Sequence, residues 1–163
     1  MNLDLISSPN RIPWPPIILV GMAAAALILE RLAPGVIPWP PAGFGALPAL
    51  GWALMAAGAG LDIWSIATMS RHRTNFLPHR AAEKLITSGP FSFSRNPIYL
   101  GNTLLLAGAA PAFAAPWFLP CALAGAVLTH ILAIRREEVH LAAKFGAAWD
   151  AYAARTPRWI WRI

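Results

Sequence analysis

Charged side chains are scarce in this chain of 163 residues. Asp, Glu, Lys and Arg together make up 12% of the sequence, whereas hydrophobic residues make up 57%. A soluble domain carries about 25% charged residues. This composition excludes an intrinsically disordered chain and a coiled coil, and a soluble globule of this size could not bury so much apolar surface. The sequence therefore predicts an integral membrane protein.

Cysteine and metal-ligating patterns are also nearly absent. Cys121 is the only cysteine and lies in an apolar run, so no internal disulfide can form. His72 and His79 fall in a basic stretch without the Cys or Asp partners that a metal site needs. We therefore predict no metal site.

Positive charge is present but confined to two segments. The net charge is +6, and 11 of the 13 Lys and Arg residues lie in residues 67–97 and 135–163. Basic clusters between long uncharged stretches are typical of the cytoplasmic parts of polytopic membrane proteins. A nucleic-acid-binding face would carry its charge differently, so we expect no nucleic-acid partner.

The uncharged stretches predict the membrane topology. Residues 96–134 carry no Asp, Glu, Lys or Arg, and this run is too long for one crossing of about 30 Å. Its prolines, Pro111, Pro116 and Pro120, mark a turn between two helices. We predict an all-α, polytopic integral membrane protein forming one domain over 1–163. It has about four transmembrane helices and a cytoplasmic amphipathic C-terminal helix, with spans near 12–30, 45–66, 98–112 and 117–136.

The C-terminal helix, expected over residues 137–154, has one apolar face. Glu138 points into this face, and Glu137 lies on its flank. A carboxylate on a buried face needs a partner or a ligand. Glu138 is thus either a ligand-binding group or a helix-dipole carboxylate paired with Arg135 or Arg136. The residues of the face recur at helical spacing: Leu141, Phe145, Ala148, Trp149 and Tyr152.

Residues 85–101 are rich in turn formers, aromatics and basic residues. Gly89-Pro90 predicts a turn, and Asn96 is placed to cap a helix that starts at Pro97. Arg95 then lies beside a helix N-terminus, where both groups attract an anion. The alternative is that Arg95 contacts lipid headgroups at the membrane surface.

Two ionisable residues fall inside predicted spans near their cytoplasmic ends. Asp62 has Gly58 and Ala59 beside it, which would let a partner helix approach closely, and His130 lies at a similar depth. Ionisable residues at membrane depth are functional candidates. The alternatives are that Asp62 reaches headgroup water and that His130 bonds to a backbone carbonyl.

Two sequence blocks resemble a known family. Gly89-Pro90-Phe91 and the run Ser-Arg-Asn-Pro-Ile-Tyr-Leu-Gly over 94–101 are similar to the signature of the isoprenylcysteine carboxyl methyltransferases and their phospholipid methyltransferase relatives. A second block follows after one hydrophobic hairpin, so the order matches too. It comprises Glu137-Glu138, Leu141, Phe145-Gly146, Trp149, Tyr152, Arg155 and Pro157.

The resemblance implies a methyltransferase that uses S-adenosyl-L-methionine and has its active site at the cytoplasmic side. Residues 85–101 and 135–158 would enclose the cofactor, and Arg155 would be the catalytic residue at an acceptor carboxylate. The cofactor-binding residues that we expect are Arg95, Asn96, Pro97, Tyr99, Gly101, His130 and Glu138.

The departures from the family pattern bear on the acceptor. Asn96 stands where the eukaryotic enzymes have His, and the chain is shorter than theirs. The resemblance therefore implies an amphiphilic acceptor, either a small molecule or a membrane lipid, for a protein of the bacterial inner (cell) membrane. Two other interpretations are a membrane reductase of the sterol-reductase type that uses NADPH, and a non-catalytic membrane partner.

Overall fold

The computed structural model describes residues 13–41, 44–72 and 84–160. All regular structure in these ranges is helical, so the predicted all-α class is confirmed. The helices in chain order are α1 (Trp14–Leu32), α2 (Leu47–Arg71), a short 3-10 helix (Gly89–Ser92), α3 (Pro97–Phe113), α4 (Phe118–Thr129), a π-helix (His130–Ile134), α5 (Arg135–Phe145) and α6 (Ala147–Arg155).

Three helical stretches are long and apolar enough to cross a membrane. They are α1, α2 and the continuous 28-residue stretch Phe118–Phe145, which joins α4, the π-helix and α5. The chain is therefore an integral membrane protein, as its composition predicts. Helix α3 has 17 residues, about 26 Å at 1.5 Å per residue, which is slightly less than the hydrocarbon core. The fourth crossing thus stays a prediction.

The turn between α3 and α4 fixes one end of the helix bundle. The turn predicted from Pro111, Pro116 and Pro120 lies between α3 and α4, with Pro116 inside it. Pro111 and Pro120 lie within the two helices, and the left-handed residue Ala114 ends α3. Trp117 donates its backbone N–H to the Glu30 carboxylate at 2.7 Å and its indole Nε1–H to the Ala33 carbonyl at 3.0 Å. These bonds tie the end of α1 to the turn.

Helices α2 and α3 pack with their backbones in contact. A Cβ on Gly51 would overlap the backbone of Ala112, and a Cβ on Gly58 would lie 2.6 Å from the Gly101 carbonyl oxygen. Glycine is therefore required at these crossing points. Small residues allow this approach within a bilayer, where apolar burial offers little drive for association.

The C-terminal region differs from the single helix predicted over 137–154. Helix α5 continues the last membrane stretch and ends at Gly146, whose φ of 50° and ψ of −127° break the helical path. Helix α6 then starts at Ala147 as a separate helix. The predicted apolar face is therefore divided, with Leu141 and Phe145 in α5 and the remaining residues in α6, where Trp149 and Tyr152 are buried at 6% and 4% exposure.

Cysteine labelling tests the predicted topology. In it the two basic segments, which include residues 74 and 156, face the cytoplasm, and the loop that includes residue 42 faces outward. Positions 42 and 74 lie outside the described residues, and Thr156 is buried, so the exposed residues Val36, Lys84 and Asp150 are better reporters.

In a Cys121→Ala background, we expect an impermeant maleimide to label Val36→Cys from outside. Lys84→Cys and Asp150→Cys should react only after permeabilisation, because two crossings separate these positions. Labelling of positions 84 and 150 from opposite sides would contradict the four-span arrangement.

Candidate functional site

The segment before α3 docks on the end of α2. Gly89 has a φ of +61°, and a Cβ there would lie 3.0 Å from the Thr68 hydroxyl oxygen. The turn predicted at Gly89-Pro90 is therefore confirmed as the start of the 3-10 helix. The ring of Phe93 lies 6.2 Å from that of Trp64 in α2. This contact fixes the chain just ahead of Arg95.

The C-terminal segment docks on the same stretch through backbone groups. Arg95 donates its backbone N–H to the Pro157 carbonyl at 2.9 Å, and Tyr152 donates its hydroxyl to the Phe91 carbonyl at 2.7 Å. Burial raises the pKa of Tyr152, so this hydroxyl remains a donor. Asn96 occupies the N-cap position of α3 as predicted. Its side chain makes no capping hydrogen bond, however; Nδ2 donates to the Arg158 carbonyl at 2.9 Å.

Three charged side chains meet where these segments join. Arg95 Nη1 lies 3.0 Å from Glu138 Oε1. Arg158 donates from Nε to Oε1 at 2.8 Å and from Nη2 to Oε2 at 2.5 Å, a bidentate pair that raises the pKa of Arg158. The Arg95 and Glu138 side chains are 13% and 15% exposed. We call these three residues the arginine–glutamate cluster; its net charge is positive.

The partners of Glu138 in this cluster test whether it is a helix-dipole carboxylate paired with Arg135 or Arg136. Its partners are Arg95 and Arg158, whereas Arg135 and Arg136 are exposed and make no ion pair with it. The helix-dipole pairing is therefore not the arrangement that the structure has.

Arg95 retains binding capacity within this cluster. Its guanidinium carbon lies 5.5 Å from the centre of the Trp149 ring, a cation–π contact. Its Nε is buried and, among the residues that the structure describes, has no hydrogen-bond acceptor. A buried donor left unpaired costs about 1–3 kcal/mol. An acceptor atom of a bound ligand would remove that cost.

A second carboxylate lies next to the cluster. Tyr99 in α3 donates its hydroxyl to Glu137 Oε1 at 2.7 Å, which ties α3 to α5. The sequence pattern put Glu137 on the flank of the helix and gave it no partner. The structure therefore presents adjacent carboxylates at Glu137 and Glu138, each held by a different neighbour.

Gly101 and Asp62 meet between α2 and α3. A Cβ on Gly101 would overlap the Asp62 carboxylate and lie 2.8 Å from the Gly58 carbonyl oxygen. Gly101 therefore faces α2, whereas Tyr99 faces α5. Asp62 Oδ1 is buried and has no hydrogen-bond partner within the described part of the chain.

His130 and Arg155 differ in their relation to the cluster. His130 begins the π-helix, close enough to Glu138 and Arg158 for their charges to act on it. Arg155 is exposed at the end of α6, and its Nε donates to the Ala151 carbonyl of the same helix at 3.1 Å. Besides Arg95, the guanidinium that reaches Glu138 is that of Arg158, which the sequence pattern does not single out because it lies beyond the helical periodicity.

Comparison with known families adds one match. Residues 47–148, more than half of the chain, match the family model described as phospholipid methyltransferase. The matched range includes Arg95, Tyr99, Glu137 and Glu138 but not Arg158. Curated proteins and solved structures give no significant match. The chain belongs to the phospholipid methyltransferase family, which is related to the isoprenylcysteine carboxyl methyltransferases and confirms the resemblance stated from the two sequence blocks.

Proposed function

We propose that the protein transfers a methyl group from S-adenosyl-L-methionine to a lipid-type acceptor. The observation that carries this proposal is the arginine–glutamate cluster beside the Tyr99–Glu137 hydrogen bond. Most of these groups lie inside the range that matches a family of membrane methyltransferases. That family supports methyl transfer and a lipid acceptor; the cofactor and the acceptor atom are part of the proposal.

The residues present suit this cofactor chemically. Its carboxylate group would pair with Arg95, whose buried Nε lacks an acceptor in the described structure. Its amino and hydroxyl groups would donate to Glu137 and Glu138. When bound, the cofactor supplies an electrophilic methyl group on a sulfonium.

The chain itself contributes orientation and exclusion of water. The 3-10 helix and α6 are joined by the Tyr152–Phe91 hydrogen bond, Trp149 of α6 lies against Arg95, and the Arg95 and Glu138 side chains are largely shielded from solvent. A nucleophile held in line with a methyl group reacts without an acid–base pair, provided that water is excluded. This requirement fits a site made of arginines and carboxylates. It also fits an acceptor that enters from the bilayer.

We propose that the site is formed by residues 85–101 and 135–158. These segments lie at the end of the bundle that we assign to the cytoplasm. The assignment rests on the 11 of 13 Lys and Arg residues in the two basic segments. We propose that the membrane is a bacterial inner membrane. A carboxylate, the group that the isoprenylcysteine carboxyl methyltransferases methylate, is among the acceptors to be tested.

Arg155 is proposed to bind the acceptor and not the cofactor. Its exposed guanidinium offers a planar fork that fits a carboxylate in bidentate fashion, which Lys cannot reproduce. Arg155→Lys should lose turnover but keep its affinity for S-adenosylhomocysteine. Arg158→Lys is the matched comparison: it cannot make both bonds to Glu138, and it should lose affinity as well. Equal loss of affinity in both variants would move Arg155 to the cofactor site.

Calorimetry on the purified protein tests the proposed cofactor. S-adenosylmethionine and S-adenosylhomocysteine should bind with similar affinity, since both carry the same amino acid and nucleoside groups. NADPH should not bind. Binding of NADPH alone would support a reductase, and binding of none of the three would support a non-catalytic membrane partner.

A further inference from the structure

The π-helix interrupts an otherwise regular face of the last membrane stretch. Before it, one side of α4 is buried. Each residue of an α-helix adds about 100°, so positions about five turns apart, 18 residues, lie in line. Arg136 follows Phe118 by 18 residues and would continue this buried side if the helix were α throughout. The buried residues of α4 are Phe118, Cys121, Ala122, Gly125 and Thr129.

The structure puts Glu137 in that place. Arg136 is exposed, and it is Glu137 that bonds to Tyr99 of α3 at 2.7 Å. A π-turn closes its hydrogen bonds at i→i+5 and so contains one more residue than an α-turn. The extra residue in His130–Ile134 rotates all following residues by one position. With this register, Glu138 reaches Arg95 and Arg158.

We infer that the π-helix His130–Ile134 is a positioning element that selects Glu137 and Glu138, and not Arg136, for the site. The inference deepens the proposed function and rests on it for the meaning of the site, but the register itself can be measured without activity. A cation at the Glu137 position would face the Tyr99 hydroxyl, which cannot donate to it, and would add charge beside Arg95 and Arg158.

Thiol cross-linking in membranes reads the register directly. In a Cys121→Ala background, Tyr99→Cys is paired in turn with cysteine at positions 136, 137 and 138. A bifunctional methanethiosulfonate reagent long enough to span the two removed side chains is added, and intact-mass spectrometry distinguishes one bridging linker from two half-reacted ones. The unaltered register should bridge 99 to 137 and leave 136 unbridged.

A one-residue insertion and a one-residue deletion within this segment then test whether the π-helix itself sets the register. Insertion of one alanine after Ile131 should move the bridge from 137 to 136, because the helix keeps one surplus residue. Deletion of Ile131 should keep the bridge at 137, because the segment relaxes to an α-helix. Ile131 is 48% exposed, and Ile131→Ala controls for the loss of its side chain. A bridge that stays at 137 after the insertion, or moves to 138 after the deletion, would overturn the inference.

Ligand binding connects the register to the proposed function. With all native site residues present, the deletion variant should keep S-adenosylhomocysteine affinity within about threefold, and the insertion variant should lose at least about tenfold. If the bridges move as expected but the parent protein binds no S-adenosylhomocysteine, the proposed function fails and the register inference stands. If the insertion variant does not accumulate in membranes, the position of the bridge in the deletion variant decides the question.

Discussion

Glu138→Gln is expected to abolish turnover and to weaken S-adenosylhomocysteine binding at least tenfold. Glutamine has nearly the same shape but no charge, so Arg95 and Arg158 would face each other without their shared counter-ion. One charge-assisted hydrogen bond is worth about 1.5–3 kcal/mol, which corresponds to a factor of about ten or more in affinity. Calorimetry and a methyl-transfer assay on the same preparation measure both effects.

Asp150→Asn is the matched control for this substitution. Asp150 is an exposed carboxylate in α6, so its loss should leave binding and turnover unchanged. Thermal unfolding of both variants separates the roles of Glu138. If Glu138→Gln lowers the melting temperature but leaves affinity intact, the cluster serves only to hold the C-terminal segment on α5, and its proposed role in binding is wrong.

Gly51→Ala is expected to destabilise the protein strongly. The added methyl group would overlap the backbone of Ala112 in α3, and backbone atoms cannot turn aside as a flexible side chain can. Overpacking costs about 1–3 kcal/mol where side chains can adjust, so a cost at or above the upper end is expected here. Unfolding in a detergent titration measures the change.

Gly60→Ala provides the control on the same helix. A Cβ at Gly60 would meet no heavy atom within 4 Å, so only the intrinsic preference of the helix for alanine remains. This variant should be neutral or more stable by up to about 1 kcal/mol. Equal destabilisation by both substitutions would contradict the close contact between α2 and α3.

The elements that the sequence predicts well are those imposed by simple physical limits. A bilayer requires long apolar helices, so uncharged stretches locate the starts of α1, α2 and α4 to within two residues, whereas the last membrane stretch continues to Phe145, beyond its predicted end at 136. Likewise, Pro97 at the first helical position marks the start of α3. Gly89-Pro90 marks the turn at the start of the 3-10 helix. These signals are local, and no distant contact competes with them.

The parts that the sequence does not predict depend on contacts between distant segments. The π-helix adds one residue without any proline or glycine to mark it, and Gly146 divides the helix predicted over 137–154, so the apolar face of that single helix does not indicate where Glu137 points. Arg158 follows Pro157, where no helical pattern remains, and it reaches Glu138 because its segment docks on Asn96. The sequence pattern also places Gly146 inside one helix, whereas in the structure α5 ends there.

Transfer of tritium from methyl-labelled S-adenosylmethionine to lipid tests the central claim most directly. Membranes containing the protein are incubated with the labelled cofactor, and the radioactivity of the organic extract is counted against membranes carrying Glu138→Gln. We predict label in the lipid fraction with the native protein and background counts with the variant. Equal counts from both, or no label above membranes lacking the protein when a range of lipids is supplied, would contradict it.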